Sequence, residues 1–203
     1  MKDGKTAKLV REFISKQESE VLFGLKDLVD LGNPQAVLLE LSRLCRRGVI
    51  RRARKGKYYL PRSTQFGDVG PSENEIVLDI LKENGGYIAG FAALNRVGLT
   101  TQVPAEILIR GARSNRTIQL GKTKIRCVSA GQRDSTNSQL TDILEAIRLI
   151  KVVPDGDPAQ TLKMLKEKIN NLTNKNLSLL VDISLDERPA SRALLGALLK
   201  SQK

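Results

Sequence analysis

A chain of 203 residues can hold one large domain or two small ones, and 40% hydrophobic content suffices for real cores although aromatics supply only 3%. The net charge of +12 suits a polyanionic partner, and residues 1–62, with 15 Lys/Arg against 7 Asp/Glu, hold two thirds of the excess. No apolar run reaches the roughly 18 residues of a membrane span, the N-terminus "MKDGKTAKLVREFISKQ" lacks a secretory segment, and Cys45 and Cys127 make no disulfide framework, so a cytoplasmic protein without membrane association is expected.

In chain order, Leu9, Val10, Phe13 and Ile14 fall at helical spacing and predict an amphipathic helix over residues 6–17. A shorter element, "LKDLVDLG", occupies 25–32. Asn33 can cap the next helix with Pro34 at its first position, giving a helix from 34 to about Arg47 that stops at Gly48. Two extended runs, 49–53 and 57–60, turn at Lys55-Gly56. Helix, helix, tight turn, helix, hairpin is the order of a winged helix-turn-helix, assigned to 1–62.

Gly, Ser and Pro enrich 61–72, so 63–72 reads as a linker to a second domain, 73–203. Ser72 and Glu75 form a capping box before a helix over 73–84, which ends at Gly85-Gly86. A short helix at 91–98 precedes "AEILIRG", "TIQLG" and "KIRCV", which read as strands of a small sheet. The remainder is helical: Leu140, Ile143, Leu144 and Ile147 mark one packing face over 139–151, Leu162, Leu165 and Ile169 another over 158–171, and Pro189 opens a final helix. The expected class is α+β, an N-terminal winged helix-turn-helix plus a C-terminal mixed domain.

Between Arg43 and Lys57 stand eight Lys/Arg and no acid. At 100° per residue, Val37, Leu38, Leu41, Leu44 and Cys45 share the packing face of the 34–47 helix. The opposite side presents Gln35, Ala36, Leu39, Arg43, Arg46 and Arg47, with Asn33 at the helix start. This split suits a recognition helix in a groove of duplex DNA. Gln35 can pair with adenine and Leu39 can meet a thymine methyl. Arg43 can read guanine or grip phosphate, while Arg46 and Arg47 suit phosphate. Arg51, Arg52, Arg54, Lys55 and Lys57 gather around the hairpin tip as a phosphate-binding wing, and Tyr58 and Tyr59 read as packing residues rather than an RNA-stacking platform.

In the second domain, "VGLTTQVPAE" either forms a functional loop through Thr100, Thr101 and Gln102 or is a turn whose hydroxyls satisfy local backbone. Arg110, Arg113 and Arg116 in "RGARSNR" form a second phosphate contact, a partner-facing surface or an ordinary hairpin loop. Nothing points to catalysis. The chain has no His, both cysteines read as core residues, and no Cys/His cluster offers zinc. The only carboxylate-x-Lys, Asp3-Gly4-Lys5, sits at a loose terminus, while Glu73/Glu75 and Asp155/Asp157 suit helix starts. No enzyme activity, cofactor or metal is expected.

"LSRLCRRGVIRRARKGKYYLP" followed by "GGYIAGFAALNRVGLTTQVPAEILI", with "RALLGALL" near the end, resembles the AbiEi-like antitoxin family of type IV toxin–antitoxin systems, in its short form with an N-terminal winged helix. Residues 93–106 are the most specific part. The resemblance implies a domain that binds inverted repeats in its own operator and represses transcription, the basic helix and wing mapping onto residues 33–57. It further implies a second domain that counteracts a co-encoded nucleotidyltransferase toxin, classically without a stable complex. Two other readings stand beside it: a winged-helix regulator whose second domain senses a ligand or oligomerises, and a direct toxin-binding inhibitor.

Overall fold

The structure, a computed structural model, describes residues 3–129, 137–153 and 157–200. Its fold is α+β, as expected, and its contacts divide it into Met1–Ile80 and Leu81–Lys203.

The first unit opens with α1 (Asp3–Ser15), so Gly4 and Lys5 lie in a helical turn rather than a loose end. A two-residue strand β1 (Phe23–Gly24) leads into a 3-10 helix (Leu25–Leu31) and then α2 (Pro34–Arg46). Asn33 caps α2 by accepting a hydrogen bond from the Gln35 amide at 2.8 Å, and Pro34 occupies the first turn. Strands β2 (Arg51–Arg54) and β3 (Lys57–Tyr59) form the hairpin, and β1 adds to it in the order β1-β3-β2. That is the winged-helix arrangement. Its core is Val10, Ile14, Phe23, Leu28, Val37, Leu41, Leu44 and Ile50.

Glycines shape the wing at two points. Gly56 turns the hairpin with φ +79° into open space, whereas a Cβ on Gly24 would stand 2.5 Å from the Gly56 carbonyl oxygen. Only a residue without a side chain lets β1 lie so close to the turn.

Residues 63–72 are not an unstructured linker: β4 (Arg62–Thr64) and β5 (Gly67–Val69) pair as a second hairpin. The same Gly and Ser content serves a tight turn as readily as a tether. Next comes α3 (Glu73–Asn84), whose capping box is as read: the Ser72 amide and hydroxyl donate to Glu75 at 2.7 and 2.8 Å, and the Glu75 amide donates to the Ser72 hydroxyl at 3.3 Å. The division between units falls inside this helix, after Ile80.

In the second unit β6 (Tyr87–Ala89), α4 (Phe91–Arg96), β7 (Glu106–Arg110), β8 (Arg116–Leu120) and β9 (Thr123–Val128) precede four helices. The sheet order is β6-β7-β9-β8, with β7 and β9 parallel. Residues 111–115 therefore cross between non-adjacent strands, and the hairpin-loop reading of "RGARSNR" is corrected. The helices are α5 (Ser138–Leu149), α6 (Pro158–Asn170), α7 (Asn174–Ser184) and α8 (Pro189–Lys200). Every residue from Leu140 to Ile147 is buried, which makes α5 the centre of a core shared with Leu94, Leu165, Leu180 and Leu195. Asp157 caps α6, while Asp155 lies outside the described residues. Among the described residues, no helix is long and apolar enough to cross a membrane.

Candidate nucleic-acid interface

Helix α2 is sided. Val37, Leu41 and Leu44 are buried against α1 and the 3-10 helix, whereas Gln35, Leu39, Arg43, Arg46 and Arg47 are exposed and Ala36 half-buried. Leu38, placed on the packing face by the helical wheel, is 42% exposed, and Cys45 is only half-buried. The packed stripe is narrower than an ideal wheel drew it, because the neighbouring helices cover only the line through Val37, Leu41 and Leu44.

A residue the charge count passed over organises this face. Glu40 is buried, and its carboxylate accepts from Arg11 Nε of α1 at 2.9 Å and Arg43 Nη1 at 3.5 Å. Glu40 thus anchors the bases of two outward guanidinium groups, both more than half exposed. The i,i+3 spacing of Glu40 and Arg43 was visible in the sequence. Arg11, on another helix, was not. A groove of about 320 Å³ runs between Ala7 of α1 and the Asn33, Gln35, Leu39 and Arg43 side of α2.

The wing differs from expectation. Arg54 is 7% exposed and pairs with Asp79 of α3, and Lys57, 12% exposed, reaches the same carboxylate at 3.1 Å. Arg51 donates to Asp68 of β5 at 3.0 Å, and the Asp68 carboxyl is held below its usual range by that bond and by Ser63. A register shift between Arg52 and Arg54 breaks the two-residue alternation that would put both on one face. Arg54 and Lys57 are therefore corrected from phosphate ligands to structural cations, and Arg51 is held by β5. Arg52 and Lys55 remain exposed at the tip. Burial pushes the Cys45 thiol up, against the pull of Arg52 and Arg51.

In the second unit Thr100 is buried and its hydroxyl accepts from the Gln102 amide at 3.2 Å, while Asn95 Nδ2 donates to the Thr100 and Gln102 carbonyls. The segment is a turn pinned by Asn95, with Thr101 exposed beside it. Arg110 lies within β7 and Arg113 on the crossover, while Arg116 opens β8 with Nε and Nη2 buried and lacking hydrogen-bond acceptors. They occupy different elements and do not form one loop-borne cluster.

Two charged groupings on α5 were not legible in the sequence. Glu145 and Glu187 are buried around Arg148, which donates to Glu187 at 2.7 Å and also pairs with Glu145; Glu145 in turn accepts from the Gly90 amide at 3.0 Å. One turn earlier, Asp142 contacts Arg96 Nε at 3.4 Å beside a cleft of about 310 Å³, which Ser138, Gln139 and Lys168 also line. Desolvation raises the Asp142 carboxyl to about 6 against the opposing charge of Arg96, with Glu145 adding to the rise. Among the described residues, no group of three His, Cys, Asp or Glu side chains is arranged to hold a metal ion.

No curated protein matches the chain. A family model matches residues 9–178, which spans both units and most of the length, and the chain therefore belongs to the family of unknown function DUF6088.

Proposed function

We propose that this protein is a cytoplasmic antitoxin of type IV kind that binds its own operator through α2 and the wing tip, represses its operon and counteracts a co-encoded nucleotidyltransferase toxin. The single observation carrying the DNA reading is the sidedness of α2, with Val37, Leu41 and Leu44 inward and Gln35, Leu39, Arg43, Arg46 and Arg47 outward. A helix so anchored offers donors for base edges and cations for phosphates on one accessible surface. The contact set is smaller than the sequence promised: Arg52 and Lys55 serve the wing, and Arg11 joins from α1. The antitoxin role draws on the resemblance of residues 93–106 and the basic segment to that family.

A gel shift of the upstream region at two salt concentrations tests the first part. Binding should weaken steeply with salt, and Arg47→Ala, Arg52→Ala and Lys55→Ala should each lower the salt slope by about 1. Gln35→Ala should blur preference at one base position. Binding indifferent to salt and to all four substitutions would refute the interface. Growth rescue on co-expression with an adjacent nucleotidyltransferase tests the second part, and failure to rescue would refute it. A second reading, a regulator whose second unit senses a ligand, draws on the cleft at Asp142.

A further inference from the structure

We propose that the cleft beside the first turn of α5 binds a phosphomonoester that also carries a hydroxyl group, of the sugar-phosphate or nucleotide kind. This inference rests on the second unit alone and is independent of DNA binding.

Asp142 forms part of the cleft wall with its side chain only 6% exposed. One carboxylate oxygen, Oδ2, faces Arg96, while Oδ1 is buried and accepts no hydrogen bond. Native structures seldom leave such an oxygen without a donor, and those that do invite a functional explanation. A hydroxyl on a molecule seated in the cleft is a donor of the required kind, met once rotation of the carboxylate brings Oδ1 out of its buried position.

The remaining polar wall has the opposite character. Arg96 and Lys168 bring two cations, and Ser138 and Gln139 belong to the N-terminal turn of a twelve-residue helix, where the helix dipole favours an anion while the Gln139 amide itself donates to the Asn137 cap. Among the described residues, two cations and a helix start against one carboxylate leave the cleft positive. A dianionic phosphate brings that balance close to neutral. A zwitterionic amino acid would leave it unchanged, and bare phosphate carries its hydroxyl only on the phosphorus that the cations hold, whereas an ester's sugar hydroxyl stands apart from the anion and can donate to Asp142. The volume of about 310 Å³ lies at the small end of ligand pockets, which suits a pentose phosphate in size and excludes a polymer lying wholly inside.

Calorimetric titration of the full chain with ribose phosphate, adenosine monophosphate, inorganic phosphate and ribose tests the proposal. At least one ester should bind saturably and about tenfold more tightly than inorganic phosphate or ribose. Tighter binding of ribose phosphate identifies a sugar-phosphate site, and tighter binding of the nucleotide a nucleotide site. Lys168→Ala, on a half-buried position that leaves the core intact, should weaken the preferred ester about tenfold or more. The proposal is overturned if neither ester saturates, if inorganic phosphate binds as tightly as the esters, or if Lys168→Ala, folded by circular dichroism, binds like the parent.

Discussion

Arg148 stands between two buried carboxylates, and its loss would take from Glu145 and Glu187 the guanidinium that both pair with. Breaking a buried ion pair from one side costs about 3–5 kcal/mol, so Arg148→Ala should lower the urea midpoint accordingly, with tryptic susceptibility rising in parallel. A substitution that leaves the midpoint unchanged would mean that water reaches the pair. Asp142 behaves oppositely. Its folded pKa of about 6 exceeds the ordinary 3.8, so between these values the folded state holds a proton that the unfolded chain has released. Raising the pH across that window therefore lowers stability. Arg96 from α4 moderates the effect, Glu145 on α5 adds to it, and Lys168 from α6 lines the same cleft. In Asp142→Asn that part of the pH dependence should disappear, as chemical denaturation at a series of pH values would show.

At the scale of elements, the wing is coupled to α3. Asp79→Asn removes the carboxylate that holds Arg54 and Lys57, which should cost about 2 kcal/mol of first-unit stability while increasing affinity for random duplex. Reduced duplex affinity would instead mean that Asp79 orders the wing for binding. The sequence made some elements plain and hid others for physical reasons. The Asn33-Pro34 start and the Ser72/Glu75 box are local chemistry, written within four residues, and both are present. Asp79 lies 25 residues from Arg54 on a helix whose polar positions look solvated, so no local pattern links them. Alternation marks β7, β8 and β9 as strands, but period alone carries no sheet order, and β9 inserted itself between its predecessors. Helix α7 opens on Thr173, whose side chain accepts from the Asn176 amide, a cap that the run of Asn and Lys around it obscures in the sequence.

For the whole molecule, two cores form on either side of a boundary that cuts α3 rather than a loop. The first core is sequential in the chain and small, and the second gathers around α5, a helix buried through two consecutive turns. That asymmetry explains why the basic half was readable from composition whereas the second half was not. Exposed arginines on α2 announce themselves by count. The charges of the second unit that the structure brings together are single buried residues, Asp142, Glu145, Arg148 and Glu187, whose pairing depends on tertiary neighbours.

The pairing of wing cations with Asp68 and Asp79 also bears on how the N-terminal half should be dissected. A fragment stopped at Arg62 keeps the basic helix and both wing strands yet leaves these two acids behind. Without Asp68 and Asp79, such a piece should cling to any polyanion, heparin included, more strongly and less selectively than its parent. Under the proposed operator binding, selectivity would then be a property of the longer chain, imposed by two aspartates that need never touch nucleic acid.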